Sequence, residues 1–421
     1  MMSPDIRAES SGARERGSRV QQDVGAFVLM SLIAVLAPIL AARVAHWIPV
    51  PLVVFEILLG VLLGPQGLGL GKHGEFIDTL ADFGLATLMF LAGYEIDFGR
   101  IAGPPLRRAA LGWLLGLGLA LAAALLIADS AGEAVYVGAA MATTALGTIL
   151  PIVRDAELLE TPFGRAIMAV GSVGEFGPIV AVALFLSGRS PGRSAAVLLL
   201  FAAVTALAIW RAVHAGERDR MRSLVSKTLH SSGQFAVRMM IFVLALMVYI
   251  AVELNLDMLL GAFTAGVIGR MLLSGTSTQL QHTVMSKLEA VGFGFLVPVF
   301  FINTGLDFDL DALTSQASTL ALLPLFLLLF LLLRGGPVAL LAEPGTAYTD
   351  RAVLGMFGST QLPMVVAITT IGTGNGQLDA GTAAALVGAG MLSVLLFPLL
   401  ALRLRGGGAA TARPQPRTES W

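Results

Sequence analysis

The sequence predicts an all-α polytopic membrane protein of about 13 transmembrane helices, built as an inverted repeat of six. Three observations predict it. Hydrophobic residues make up 56% of the 421-residue chain and charged residues only 13%, against roughly 45–50% and about 25% in soluble domains. Apolar runs of span length recur from end to end. Landmarks of the first half return in the second half with the opposite orientation.

The runs come first. A span needs about 20 mostly apolar residues. Such runs fall at residues 24–44, 51–70, 76–96, 108–128, 133–153, 163–187, 194–212, 233–253, 255–273, 288–304, 315–333, 350–373 and 380–402. Only helices and closed barrels satisfy the backbone inside a bilayer, and these runs do not alternate every second residue as barrel strands do. The first run is read as a span and not a signal peptide, because a polar stretch from Met1 to Gln22 precedes it. Residues 1–23 and 404–421 read as disordered tails around a transmembrane domain at 24–403. Within it, repeat one covers 24–187, a linker helix 194–212, and repeat two 233–402.

Loop charges set the orientation. One side carries 18 cations, among them Arg107, Arg108, Arg220, Arg334, Arg351 and Arg403, against 7 on the other. The N-terminus is expected outside and the C-terminus inside, which an odd number of spans allows. The formal net charge of −1 suggests no polyanionic partner, and a nucleic-acid role is excluded. With no cysteine, disulfides and thiolate chemistry are excluded as well.

The repeat rests on four pairs of landmarks. Gly60 pairs with Gly261, Gly84 with Gly294, Gly93 with Gly305 and Pro151 with Pro363, at offsets of 201, 210, 212 and 212 residues. Seven spans separate each pair, so the copies face opposite ways. Inverted repeats mark secondary transporters, and matching Gly/Pro-interrupted helices point to their binding site. Here those helices are the fifth span, with Thr143, Thr144, Thr148 and Pro151, and the twelfth, with Ser359, Thr360, Gln361 and Pro363.

Charge inside the spans is scarce. Asp82, Asp97, Glu133, Glu160, Glu253, Asp257, Glu289 and Asp307 read as span-end or capping acids. Glu56 lies nearer a span interior, and Arg238 about six residues into the eighth span; both are possible supporting charges. Glu175 stands at the middle of the sixth span. A charge at the bilayer centre costs about 2.5 kcal/mol or more and is retained when it pairs, protonates or faces water. Gly171, Gly174 and Gly177 clear one face of this helix, and Ser172 lies on the carboxylate's side. Pro178 cannot donate to the Gly174 carbonyl, which leaves an acceptor beside Glu175. A carboxylate, a hydroxyl and a freed carbonyl suit a small hard cation and a proton by turns. The glycine triplet follows no soluble strand, Gly71-Lys72-His73 is no phosphate loop, and His46, His73, His214, His230 and His282 show no ligand spacing. No Ser/His, Asp/Asp or His-metal set lies within spans, so an enzyme is not expected.

Four stretches together resemble the monovalent cation:proton antiporter-2 family, with its NapA-like and Kef-like members. They are Pro51 to Gly60 with Leu63-Gly64-Pro65; Gly84 and Phe90 to Asp97; Thr143-Thr144 with Leu150 to Asp155; and Val297 to Phe301 with Gly305-Leu306-Asp307. The resemblance covers nearly all spans in order. It implies an NhaA/NapA-like fold with crossed discontinuous helices, a core and a dimerisation domain, an elevator motion and a homodimer in the bacterial inner membrane. It implies exchange of Na⁺ or K⁺ for protons with no cofactor. The family's ion-binding pair in span six is commonly Asp-Asp, Asn-Asp or Gln-Asp; here it is Gly174-Glu175. Glu175 then carries the cation and the proton alone, which favours electroneutral exchange. Thr143, Thr144, Thr148, Ser172, Ser359, Thr360 and Gln361 would complete the site. No nucleotide-binding regulatory domain is expected. The alternative cargo on the same fold is an organic solute coupled to sodium or protons, anchored by Arg238 or Gln361. A channel or membrane sensor is a further class, disfavoured by the lack of a continuous polar lining.

Overall fold

A computed structural model of the chain describes residues 4–44, 51–71, 74–96, 101–155, 157–159, 161–186, 191–214, 234–273 and 276–406. Every regular element among these residues is helical. Ten helices are long and apolar enough to cross a membrane. Three shorter apolar helices, Leu52–Leu63, Gly192–Leu207 and Met258–Leu273, fall on the second, seventh and ninth runs. Length and composition therefore give ten spans where the runs gave 13. Local chemistry accounts for two of the three. Leu52–Leu63 stops at Gly64, which is extended and precedes Pro65. Met258–Leu273 starts late because Asn255 is left-handed, at φ 52°.

The chain forms two compact units. The first comprises Met1–Ile96, Ile179–Leu320 and Ala380–Ala384; the second comprises Asp97–Pro178, Ala321–Asp379 and Ala385–Trp421.

The first unit opens with α1 (Pro4–Val44), α2 (Leu52–Leu63) and α3 (Glu75–Glu95). Helix α1 takes in most of the stretch read from sequence as a disordered tail. Its Arg, Ala, Glu and Gln residues are good helix formers and outnumber the two glycines, Gly12 and Gly17. Later come α8 (Pro191–His214), α9 (Phe235–Glu253), α10 (Met258–Leu273), α11 (Thr278–Val291), α12 (Val297–Leu306) and the short α13 (Leu310–Thr314). A π-helical turn, Gly292–Leu296, joins α11 to α12.

Two of the closest pairings in this unit mirror each other. Helix α2 packs on α12, and α3 packs on α10. In the repeat, α2 corresponds to α10 and α3 to the α11–α12 span, so one pairing becomes the other when the halves are exchanged. Both pairings depend on missing side chains. A Cβ on Gly60 would strike the Ile302 carbonyl, and one on Gly305 would strike the Ile57 carbonyl. Likewise a Cβ on Gly93 would strike the Phe263 carbonyl, and one on Gly266 the Phe90 carbonyl. Lipid-embedded helices associate through this close backbone approach rather than through hydrophobic burial. Gly261, paired with Gly60 by sequence, instead meets α9 at Met247; Gly266 does the packing equivalent to Gly60. Apolar clusters fill the rest: Phe90, Tyr94, Met240, Met247 and Ile268 in one, and Met30, Ile33, Ile77, Val299 and Ile302 in the other.

The second unit holds α4 (Pro104–Ile127), α5 (Ala131–Met141), α6 (Leu146–Asp155), most of α7 (Pro162–Ala181) and most of α14 (Ala317–Leu329). It also holds α15 (Gly336–Leu340), α16 (Tyr348–Gly358), α17 (Pro363–Gly374) and most of α18 (Ala380–Gly406). Helix α5 starts with reciprocal capping. Ser130 accepts the Glu133 N–H at 3.1 Å, and the Glu133 carboxylate accepts the Asp129 N–H at 3.0 Å. The capping reading of Glu133 thus holds. A π-helical turn, Phe330–Gly335, links α14 to α15.

Candidate functional site

Two helical spans of the second unit are broken, and the breaks meet. In the first, α5 ends at Met141 and α6 begins at Leu146, leaving 142–145 unwound. In the second, α16 ends at Gly358 and α17 begins at Pro363, leaving 359–362 unwound. Pro363 sits at the first helical position, where its missing N–H costs nothing. Pro151 plays no such part. It lies inside α6, several residues beyond the unwound segment. The first break was expected near Pro151, and it falls instead on Ala142–Ala145.

The breaks are stitched directly. The Ala145 N–H donates to the Thr360 carbonyl at 2.7 Å. The Thr144 hydroxyl donates to the Gly358 carbonyl at 2.6 Å. The Gln361 amide donates to the Met141 carbonyl at 3.0 Å, and its oxygen lies 3.2 Å from the Thr143 hydroxyl. Ser393 of α18 clasps Gln361 from behind, accepting its N–H and reaching its carbonyl, each at 2.9 Å. Thr143, Thr144, Ser359, Thr360, Gln361 and Ser393 are all buried.

Helix α7 lies on this crossing. Glu175 is 1% exposed. The Gly174 carbonyl, which Pro178 cannot serve, accepts the Thr144 N–H at 2.9 Å. The acceptor freed by the proline is therefore used, and it ties α7 to the first break. Each glycine of the triplet receives a different neighbour. A Cβ on Gly171 would meet Leu146 of α6; on Gly174, Thr144 and Arg334; on Gly177, the ring of Trp113 from α4. Ser172 donates to the Met168 carbonyl at 2.6 Å. Thr148 is half-buried on α6.

Arg334 is the residue that the hydropathy reading misplaced. It was counted among the loop cations that set the orientation, beyond a span ending at Leu333. The span runs on to Leu340, and Arg334 is fully buried in its π-helical turn. Its Nε donates to the Thr144 hydroxyl at 3.0 Å, and its Nη2 to the Val170 carbonyl at 3.1 Å. Nη1 makes no hydrogen bond among the described residues. The guanidinium occupies the notch that Gly174 leaves, one residue from Glu175. No lysine or arginine was expected at that depth. The sequence signal was the four apolar residues Val338 to Leu341 past Gly335-Gly336-Pro337, which continue the span beyond the charge. Glu56 and Arg238, the supporting charges expected from sequence, belong to the other unit; Glu56 is buried on α2 and Arg238 is exposed on α9. Among the described residues no group of three His, Asp or Glu side chains gathers to hold a metal ion.

The comparisons bear on this arrangement. The family model described as "Sodium/hydrogen exchanger, transmembrane" matches residues 31–402. The chain belongs to the sodium/hydrogen exchanger family. A Na(+)/H(+) antiporter of Enterococcus hirae is 25% identical over 389 residues, covering 89% of this chain and 97% of that protein. A relative from Bacillus subtilis (strain 168) is 26% identical over 397 residues, 89% of this chain; the chain spans 62% of that relative's length. Among solved structures, the sodium proton antiporter MjNhaP1 from Methanocaldococcus jannaschii matches with a TM-score of 0.64 at 14% identity. That match covers 92% of this chain and 98% of the other, and it shows the shared fold. Membership of an exchanger family makes this chain an integral membrane transporter and not an enzyme, and the expectation of an antiporter fold holds.

Proposed function

We propose that the protein exchanges a monovalent cation, Na⁺ or K⁺, for protons, with Glu175 as the carboxylate that the two share. One observation carries this reading: a buried glutamate stands on a crossing of two unwound segments, and a fully buried arginine fills the notch beside it. Opposed half-helix ends concentrate partial charge at such a crossing. Proton and cation compete for one carboxylate, so binding one displaces the other. Gly174 supplies no second acid. One cation for one proton, without net charge movement, follows from a single carboxylate.

Thr143, Thr144, Thr148, Ser172, Ser359, Thr360 and Gln361 keep their proposed place around the ion, with different weights. Thr144 already spends its hydroxyl hydrogen on Gly358 and accepts from Arg334, so its first duty is to hold the crossing. An organic solute held by Gln361 is less well supported, because both ends of that amide are engaged. The reading extends to an elevator motion, a homodimer, an inner-membrane location and a cytoplasmic C-terminus.

The test is reconstitution into vesicles with a trapped pH dye. Adding Na⁺ or K⁺ outside is expected to move protons in the wild type and not in Glu175→Gln. Clamping the membrane potential should leave the rate unchanged. Exchange that survives Glu175→Gln would remove the site assignment. No response to any monovalent cation would remove the exchange reading.

A further inference from the structure

Resting on that reading, we propose that Trp113 is a positioning residue for the exchange site and helps set its cation affinity. Trp113 projects from α4 and was not singled out by any sequence motif. Its indole Nε1–H donates to the Ala142 carbonyl at 3.0 Å. Ala142 is the first residue of the unwound segment, the place where a broken helix exposes carbonyl oxygens. On its other side, the Trp113 ring lies so close to α7 that a Cβ on Gly177 would sit 2.6–2.9 Å from three of its carbons. One side chain thus touches the first break through its N–H and the Glu175 helix through its ring, two residues from the carboxylate.

The neighbouring carbonyls show why this matters. The Met141 carbonyl takes the Gln361 amide, the Thr360 carbonyl takes the Ala145 N–H, and the Gln361 carbonyl takes Ser393. The Ala142 carbonyl completes this set through Trp113. With these oxygens engaged, the cation has fewer backbone ligands to draw on and Glu175 counts for more. An indole is a donor only and cannot itself ligate a cation. Trp113 therefore acts by withholding one carbonyl and by fixing the spacing between the break and Glu175.

The decisive variant is Trp113→Phe, which keeps a ring over Gly177 and removes the N–H. The apparent half-saturating cation concentration is expected to shift by about two- to tenfold, the span of one hydrogen bond's net worth. The pH profile of exchange should move with it, because the proton competes for the same carboxylate. Gly177→Ala, which pushes the ring from the other side, should shift both quantities as well. An unchanged half-saturation and pH profile in Trp113→Phe, or a fall in maximal rate alone, would overturn the proposal.

A chain that keeps Trp113 settles the matter if either variant fails to fold. The protein has four tryptophans, so replacing Trp47, Trp210 and Trp421 with Phe leaves Trp113 as the sole emitter. Its fluorescence should change as Na⁺ or K⁺ is added, with the half-saturation seen in transport, and should stay constant in Glu175→Gln. Emission indifferent to cation while Glu175 is intact would overturn the proposal. The two readings fail separately. A wild type without cation-evoked exchange defeats the function, whereas exchange that needs Glu175 but ignores Trp113 defeats this inference alone.

Discussion

At Arg334 a charge sits where hydropathy places none, and it is retained because its surroundings are made for it. Two of its nitrogens find acceptors, the Thr144 hydroxyl and the Val170 carbonyl. Arg334→Ala leaves both without this donor, and a buried polar group left unpaired costs about 1–3 kcal/mol. The variant should melt at lower temperature in detergent and lose exchange. Arg334→Lys should recover little of either, since one ammonium cannot span two acceptors held by a planar fork. The same notch explains Gly174. A family-typical acid there would need the volume that Thr144 and Arg334 occupy. Gly174→Asp is therefore expected to lower stability by roughly 1–3 kcal/mol, as overpacking does, rather than to convert the stoichiometry. A stable Gly174→Asp protein with charge-moving exchange, seen by clamping the potential, would contradict this.

Among the elements, the broken spans matter most, and their bracing is indirect. Gln361 joins the second break to the first, and Ser393 holds Gln361 from α18. Gln361→Met keeps the bulk and removes the amide. It should destabilise the protein by about 1–3 kcal/mol through the orphaned Met141 carbonyl and slow the maximal rate, read as proton flux in vesicles. Much of this was legible in the sequence. Pro363 announced the second break, and the Thr and Ser residues beside it marked its neighbourhood. Pro151 misled, because it lies inside α6 beyond its first turn and the helix runs on through it. Arg334 was missed because a 19-residue apolar run already ended at Leu333 and looked complete. Trp113 and Ser393 carry no local pattern at all. Their bonds to Ala142 and Gln361 are made by tertiary approach, which single-sequence periodicity does not encode.

For the whole molecule, the repeat was readable because both halves had to solve one packing problem twice. Gly60 with Gly305, and Gly93 with Gly266, give each half its close helix pair. Where sequence aligned Gly261 with Gly60, composition was the guide and packing chose Gly266. Orientation remains open to a direct experiment, and the absence of cysteine makes it clean. Ser315, between α13 and α14, and Ala347, before α16, are both exposed. In intact cells a membrane-impermeant maleimide should label Ser315→Cys at once and Ala347→Cys only after permeabilisation. The reverse pattern would invert the topology. Moving Arg334 out of the loop count lowers the inside total by one and leaves the asymmetry standing.

The π-helical turn at Phe330–Gly335 has a consequence for chain length. Such a turn holds one residue more than an α-helical turn would. Deleting a single leucine from Leu331–Leu333 would let the segment relax to an ordinary helix with its two flanks near their present orientation, because the turn already absorbs the extra residue. Hydropathy would barely register the loss, and every named residue of the site would still be present. One leucine more, by contrast, would add about 100° of rotation and carry Arg334 away from Thr144 and Val170 while α14 kept its place. In this stretch the protein should tolerate many leucine substitutions, and the loss of one leucine better than the gain of one, so that the length of the segment is itself under constraint.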